Sequence, residues 1–236
     1  MTADKASINT AADSPKKDRS ERLRTSSIPR LLLEFSAPAI TGMIVQALYN
    51  IIDRVFVGKA LGSDGIAAVT VAFPSMFIIL ACAMLVGIGG SASISIRLGE
   101  RRKDEAEHIL GNMVTLLAII SVIVTASGML FLDPILRVFG ASSEILPLAR
   151  DYLGIILFGT IIQMIGFGLN MAIRSEGNPR IAMFSMLISV FINLILAPVF
   201  IFGFSWGMKG AALATVVGQI SSTIWVLHYF LRGSSL

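Results

Sequence analysis

From Leu31 to Leu231 the chain is an almost unbroken succession of apolar runs, each long enough for the roughly 20 residues that a bilayer-crossing helix needs. A backbone in hydrocarbon has no water to bond, so each run must satisfy its own N–H and C=O groups, and a helix does that within one segment. We read six spans, at 31–57, 67–97, 109–132, 145–173, 180–204 and 208–231. The connections at 58–65, 97–108, 133–144, 174–179 and 205–207 are short, which makes consecutive spans neighbours. The expected fold class is an all-α membrane protein, a six-transmembrane-helix bundle over 31–231. Residues 1–30 form a polar, basic tail read as disordered and cytoplasmic.

Charge placement orients the bundle. Only 14% of residues are charged, against about a quarter in soluble domains. The tail, the second and fourth connections and the C-terminus hold fourteen Lys and Arg residues, whereas the other side holds five: Arg54, Lys59, Arg137, Arg150 and Lys209. The positive-inside rule then puts both termini of this multi-pass protein in the cytoplasm. The same distribution explains the net charge of +4 without a nucleic-acid partner. The tail is too long and hydrophilic for the start of a signal peptide. The single cysteine, Cys82, excludes an intramolecular disulfide and a Cys-based zinc site. Gly87, Gly89 and Gly90 fail as a dinucleotide loop, because Ala92 stands where the third glycine belongs. No metalloprotease, nucleophile-elbow or phosphate-loop motif is present, and His108 and His228 have no partner pattern, so no enzyme is expected.

Asp53 is the acid that lies well inside an apolar run. Gln46, Tyr49, Asn50 and Asp53 fall at i, i+3, i+4 and i+7, on one helical face. A charge at the middle of a spanning helix costs about 2.5–3.5 kcal/mol on insertion scales and marks ion, proton or substrate pathways. Glu34 lies near the cytoplasmic boundary, where a solvated carboxylate needs no such role. Gln163, Asn170 and Arg174 share a face of the fourth span, Ser185, Ser189 and Asn193 one of the fifth, and Thr215, Gln219 and Thr223 one of the sixth. Such residues also join membrane helices by hydrogen bonds worth about 0.6 kcal/mol each. Gathered around one acid, their oxygens would suit a hard cation such as sodium. Pro38, Pro74 and Pro198 each remove a backbone hydrogen bond and can bend a helix.

Three stretches carry a family resemblance: residues 38–74 with Tyr49-Asn50-x-x-Asp53, residues 168–183 with Arg174-x-x-Gly177-Asn178-Pro179, and residues 193–215 with Gly207-x-x-Gly210-Ala211-Ala212. With them, nearly all of 31–231 resembles the multidrug and toxic compound extrusion (MATE) family, in its bacterial DinF-like and MepA-like branch. The resemblance implies one lobe, the N-terminal one, of a twelve-helix, two-lobed antiporter. It would export bulky amphipathic, often cationic, drugs by alternating access, in exchange for H+ or Na+ and without another cofactor. It implies Asp53 as the cation-coupling acid. Gln46, Tyr49, Asn50, Asn170, Asn193, Ala197 and Thr215 would form the substrate or cation cavity, with Asp53, Asn193 and Thr215 as donors to sodium.

Two departures stand out. Where the branch reads Asn-x-x-x-Asp-Pro, this chain has Asn193, Ala197 and Pro198, so Asp53 lacks a second carboxylate that would raise its proton affinity. The chain also holds six spans rather than twelve, and residues 232–236 fall where an interlobe linker would begin. A missing second lobe, or a second copy of the chain, is therefore an expected partner beside the lipid bilayer and small amphipathic substrates. Two other readings remain. A lipid-linked oligosaccharide flippase would need several cations for phosphates, where Arg54 and Arg174 are the ones near span ends. A non-transporting membrane interaction module would fit the half length.

Overall fold

The computed structural model describes residues 28–232, and the side chains of 28–35 and 39 fall outside that description. The expectations for the basic tail, for the Glu34 carboxylate and for residues 233–236 therefore lie outside the described residues. All regular structure among the described residues is helical: α1 (Ile28–Gly99), α2 (Lys103–Leu130), α3 (Leu132–Val138), α4 (Leu146–Ser175), α5 (Pro179–Pro198) with a π-helical turn after it (Val199–Gly203), and α6 (Gly207–Arg232).

α1 is 72 residues long and would reach about 108 Å if straight. It is not straight. Gly62 has φ 65° and ψ −150°, a backbone region that in practice only glycine occupies. The Arg54 guanidinium lies 5.1 Å from the centre of the Phe73 ring, although 19 residues of straight helix would separate them by about 28 Å. The arms 28–61 and 63–99 thus run antiparallel, and the five helices apolar and long enough to cross a membrane make six crossings. Residues 58–65 were expected as a connecting loop but are helical on both sides of Gly62, because Lys59, Ala60 and Leu61 are good helix formers and one glycine suffices for the reversal. Gly62→Ala puts its Cβ into open space, so the cost is that of the backbone alone, about 1–3 kcal/mol. The expected result is a lower thermal midpoint in detergent micelles, followed by tryptophan fluorescence. An unchanged midpoint would contradict this account of the reversal.

The 133–144 connection also differs from expectation, since α3 occupies its first part. Pro134 sits in the first turn of α3, where its missing N–H leaves no ladder bond unmade. Asp133 in that turn pairs with Arg150 of α4 at 2.9 Å. The 174–179 connection has a clear local cause. Gly177, at φ 80°, closes α4 as its N–H donates to the Arg174 carbonyl and that of Asn178 to the Ile173 carbonyl. Pro179 then opens α5 at a position that needs no N–H. Pro198 ends the regular ladder of α5. Beyond it the Phe204 N–H donates to the Val199 carbonyl at 3.0 Å, a five-residue step that widens the turn.

α4 is the central helix, packed against α1, α2, α3, α5 and α6. α5 pairs with α6, and both lean on α1. Large apolar side chains such as Ile119 and Ile123 on α2 and Ile224 and Leu231 on α6 face outward, as lipid contact requires. Gly218 lets α6 approach the α5 backbone closely: a Cβ there would stand 2.6 Å from the Ser189 carbonyl oxygen. That closeness brings the polar faces of α5 and α6 against the first arm of α1.

Candidate functional site

Between the two arms of α1, α4, α5 and α6 lies a cavity of about 450 Å³. Gln46, Tyr49 and Asn50 enter it from α1, Gln163, Asn170 and Arg174 from α4, Ser189 and Asn193 from α5, and Thr215, Gln219 and Thr223 from α6. The helical spacings that placed these residues on common faces thus converge on one space. Phe73, Phe77, Phe167, Met171 and Met186 complete its walls. These aromatic and methionine side chains give apolar, adaptable surface.

One hydroxyl holds three helices together. Thr215 Oγ1 donates its single proton to the Ala211 carbonyl at 3.1 Å. Its oxygen accepts from Asn193 Nδ2 at 3.1 Å. The remaining contact, 3.1 Å from Tyr49 Oη, must then have the phenol as donor, because the hydroxyl has no second proton to give. The first arm of α1, α5 and α6 are therefore joined at a point inside the cavity wall.

Asp53 stands one helical turn beyond Tyr49 and is not among the residues that line the cavity. It is 7% exposed, and its Oδ1 has no hydrogen-bond partner among the described residues. The Tyr49 proton is committed to Thr215, so it does not satisfy that oxygen. Tyr152 of α4, also buried, is within Coulombic reach of both Asp53 and Tyr49. Asp53's own neighbour Arg54 is exposed and turned onto Phe73. Ala197 is fully buried in the apolar core and, like Asp53, does not line the cavity. Of the residues named from the sequence, Gln46, Tyr49, Asn50, Asn170, Asn193 and Thr215 meet at the cavity, with Asp53 and Ala197 outside its lining.

At the other end, Asn170 Nδ2 donates to the Ala182 carbonyl at 2.9 Å and to Ser185 Oγ at 2.6 Å. Its Oδ1 accepts from Arg174 Nε at 3.2 Å. No group of three or more His, Cys, Asp or Glu side chains that could hold a metal ion occurs among the described residues. A sodium ion using Thr215 would have to displace the Tyr49 or Asn193 donor from its oxygen. Tyr152 escaped the sequence reading although it carried a signal: it precedes Gln163 by eleven residues and so continues the Gln163, Asn170 and Arg174 face of α4.

Six helical crossings around a polar and aromatic cavity define a polytopic helical membrane protein. The chain belongs to the MATE family, described as MatE, whose profile matches residues 38–199. It is 31% identical over 207 residues to the multidrug export protein MepA of Staphylococcus haemolyticus (strain JCSC1435), covering 88% of this chain and 46% of that protein. To MepA of Staphylococcus aureus (strain MRSA252) it is 28% identical over 211 residues, covering 89% and 47%. A solved structure of the MATE multidrug transporter DinF-BH in complex with a rhodamine dye superposes with a TM-score of 0.86 at 47% identity, covering 91% of this chain and 48% of that one. The chain thus spans about half the length of the curated relatives it matches.

Proposed function

We propose that this chain is the N-terminal lobe of a cation-coupled exporter of amphipathic drugs, including cationic ones, in a bacterial plasma membrane. The residues divide into a lobe over 31–231, a basic tail before it and the start of a linker after it, with both ends cytoplasmic. The observation that carries the reading is the Tyr49–Thr215–Asn193 bridge. It stands between a cavity large enough for a small amphipath and a buried carboxylate with an unsatisfied oxygen. Cargo would occupy the cavity, and the coupling ion would act at Asp53 through the shared helix. Protonating Asp53 removes a buried charge and lets the first arm of α1 repack or bend near Pro38, provided the two states differ in proton affinity. We favour H+ over Na+ because the lone pairs of Thr215 are already engaged. The exposed rim at Asn50 and Phe77 is where a second lobe, or a second copy of the chain, would close the cavity.

The rhodamine dye bound in the DinF-BH complex serves as a probe. The lobe, joined to a second lobe and reconstituted in vesicles, is expected to move the dye when a pH gradient is imposed. A sodium gradient at equal pH on both sides is expected to drive at most a tenth of that movement. Movement driven by sodium alone would overturn the proton assignment, and none under either gradient would overturn export.

A further inference from the structure

We infer that the Arg174 end of the cavity is an anion subsite, so that beside other amphipaths the lobe also takes those bearing an acidic head: a carboxylate, sulfonate or phosphate. Among the described residues that line the cavity, Arg174 is the only charged side chain. Asp53 does not balance it. Gly42, whose Cβ position lies 3.3 Å from Met186 Sδ, marks the Arg174 level on α1, and Asp53 is eleven residues further, about 16 Å along the helix. The guanidinium holds only neutral partners, Asn170 Oδ1 at 3.2 Å and Met186 Sδ at 3.2 Å. Arg174 makes no ion pair among the described residues. Arg174 lies in the last turn of α4, where a half-buried cation either reaches the interface or faces a hydrated pathway, and here it lines the cavity. A guanidinium with unused donors is suited to a planar or tetrahedral oxyanion.

The rest of the cavity fits the same ligand. Phe73, Phe77, Phe167, Met171 and Met186 offer apolar surface beside the arginine. Gln163 and Gln219, further along the wall, each have a side-chain carbonyl oxygen with no hydrogen-bond partner among the described residues. Those oxygens accept an N–H or O–H from the body of a ligand. The site so built takes an acidic head at Arg174, an apolar body against the aromatic wall and a donor at the glutamines. This rests on the cavity being the cargo site of the preceding reading, but binding at equilibrium measures the subsite whether or not transport follows.

The purified chain in neutral detergent is titrated with dansyl-amino undecanoic acid and with its methyl ester. The acid is expected to bind at least tenfold more tightly. Arg174→Gln is expected to erase that difference, and Arg174→Lys to keep at least a threefold preference for the acid. Equal binding of acid and ester by the unchanged chain overturns the subsite, as does an acid preference that survives Arg174→Gln. If Arg174→Gln fails to fold, Arg174→Lys and the unchanged chain decide: loss of the preference in the unchanged chain refutes it and retention in both supports it. Displacement of the acid by added phosphatidylglycerol identifies a lipid headgroup as the anion, and displacement by inorganic phosphate a soluble one. An acid preference with no gradient-driven export would sink the transport reading and leave the subsite standing.

Discussion

Asp53→Asn is expected to reduce drug export to the level of cells without the protein, in the lobe joined to a second lobe, while raising thermal stability. Both halves of that expectation have one cause. Asparagine keeps the volume and most of the hydrogen-bonding capacity of the carboxylate but cannot change charge. A charge at this depth costs about 2.5–3.5 kcal/mol on insertion scales, and Oδ1 of Asp53 has no hydrogen-bond partner among the described residues to offset it. The substitution therefore removes an energetic burden while deleting the group whose ionisation would separate the two transport states. Resistance assays in a pump-deficient host, with membrane abundance measured in parallel, provide the check. Full resistance at normal abundance would refute the coupling role, and a fall in abundance together with resistance would mark Asp53 as structural.

Gly218→Ala should produce the largest purely structural effect. Its Cβ would stand 2.6 Å from the Ser189 carbonyl oxygen, 3.2 Å from Ser189 Oγ and 3.5 Å from Asn193 Cβ. A backbone carbonyl cannot swing aside as a side chain can, so α5 and α6 must move apart. Overpacking of this kind costs about 1–3 kcal/mol. The 3.1 Å bond between Asn193 and Thr215 lies three residues along α6 and is expected to lengthen with the shift. The thermal midpoint in micelles should fall and gradient-driven export should drop at least fivefold. Gly89→Ala, where the new Cβ meets nothing within 4 Å, is the matched control and should leave both unchanged. Equal behaviour of the two variants would contradict the close approach at Gly218.

Most of the fold was legible before any coordinates. The six apolar runs became six crossings, and the polar spacings on the fourth, fifth and sixth spans converged on one cavity. Connections were harder. A hydropathy reading treats any polar stretch between spans as a loop, yet 58–65 holds its helix up to and beyond Gly62 and α3 fills the start of 133–144. Local helix propensity decides those segments, and it is invisible to a scale that weighs only transfer to lipid. Of the candidate site, the polar faces that line the cavity were legible and the place of the acid outside it was not. Periodicity put Asp53 on the same face as Gln46, Tyr49 and Asn50, but the fold buries the acid one turn beyond Tyr49, outside the cavity lining. Tyr152, buried on α4, was legible through its eleven-residue step from Gln163 and was missed. Ala197 shows the complementary limit. Its four-residue step from Asn193 aligned it with the polar face, yet within α5 it is fully buried in the apolar core and outside the cavity lining.

The central claim is that a proton site at Asp53 and a cargo cavity are linked across the Tyr49–Thr215–Asn193 bridge. Linkage of two sites is reciprocal, so cargo binding must change proton occupancy. The direct measurement is the proton exchanged when the rhodamine dye is added to the protein in weakly buffered detergent solution, for the native chain and for Asp53→Asn. The account predicts proton exchange that accompanies dye binding in the native chain and none in Asp53→Asn at equal dye occupancy. The same exchange in both would contradict it.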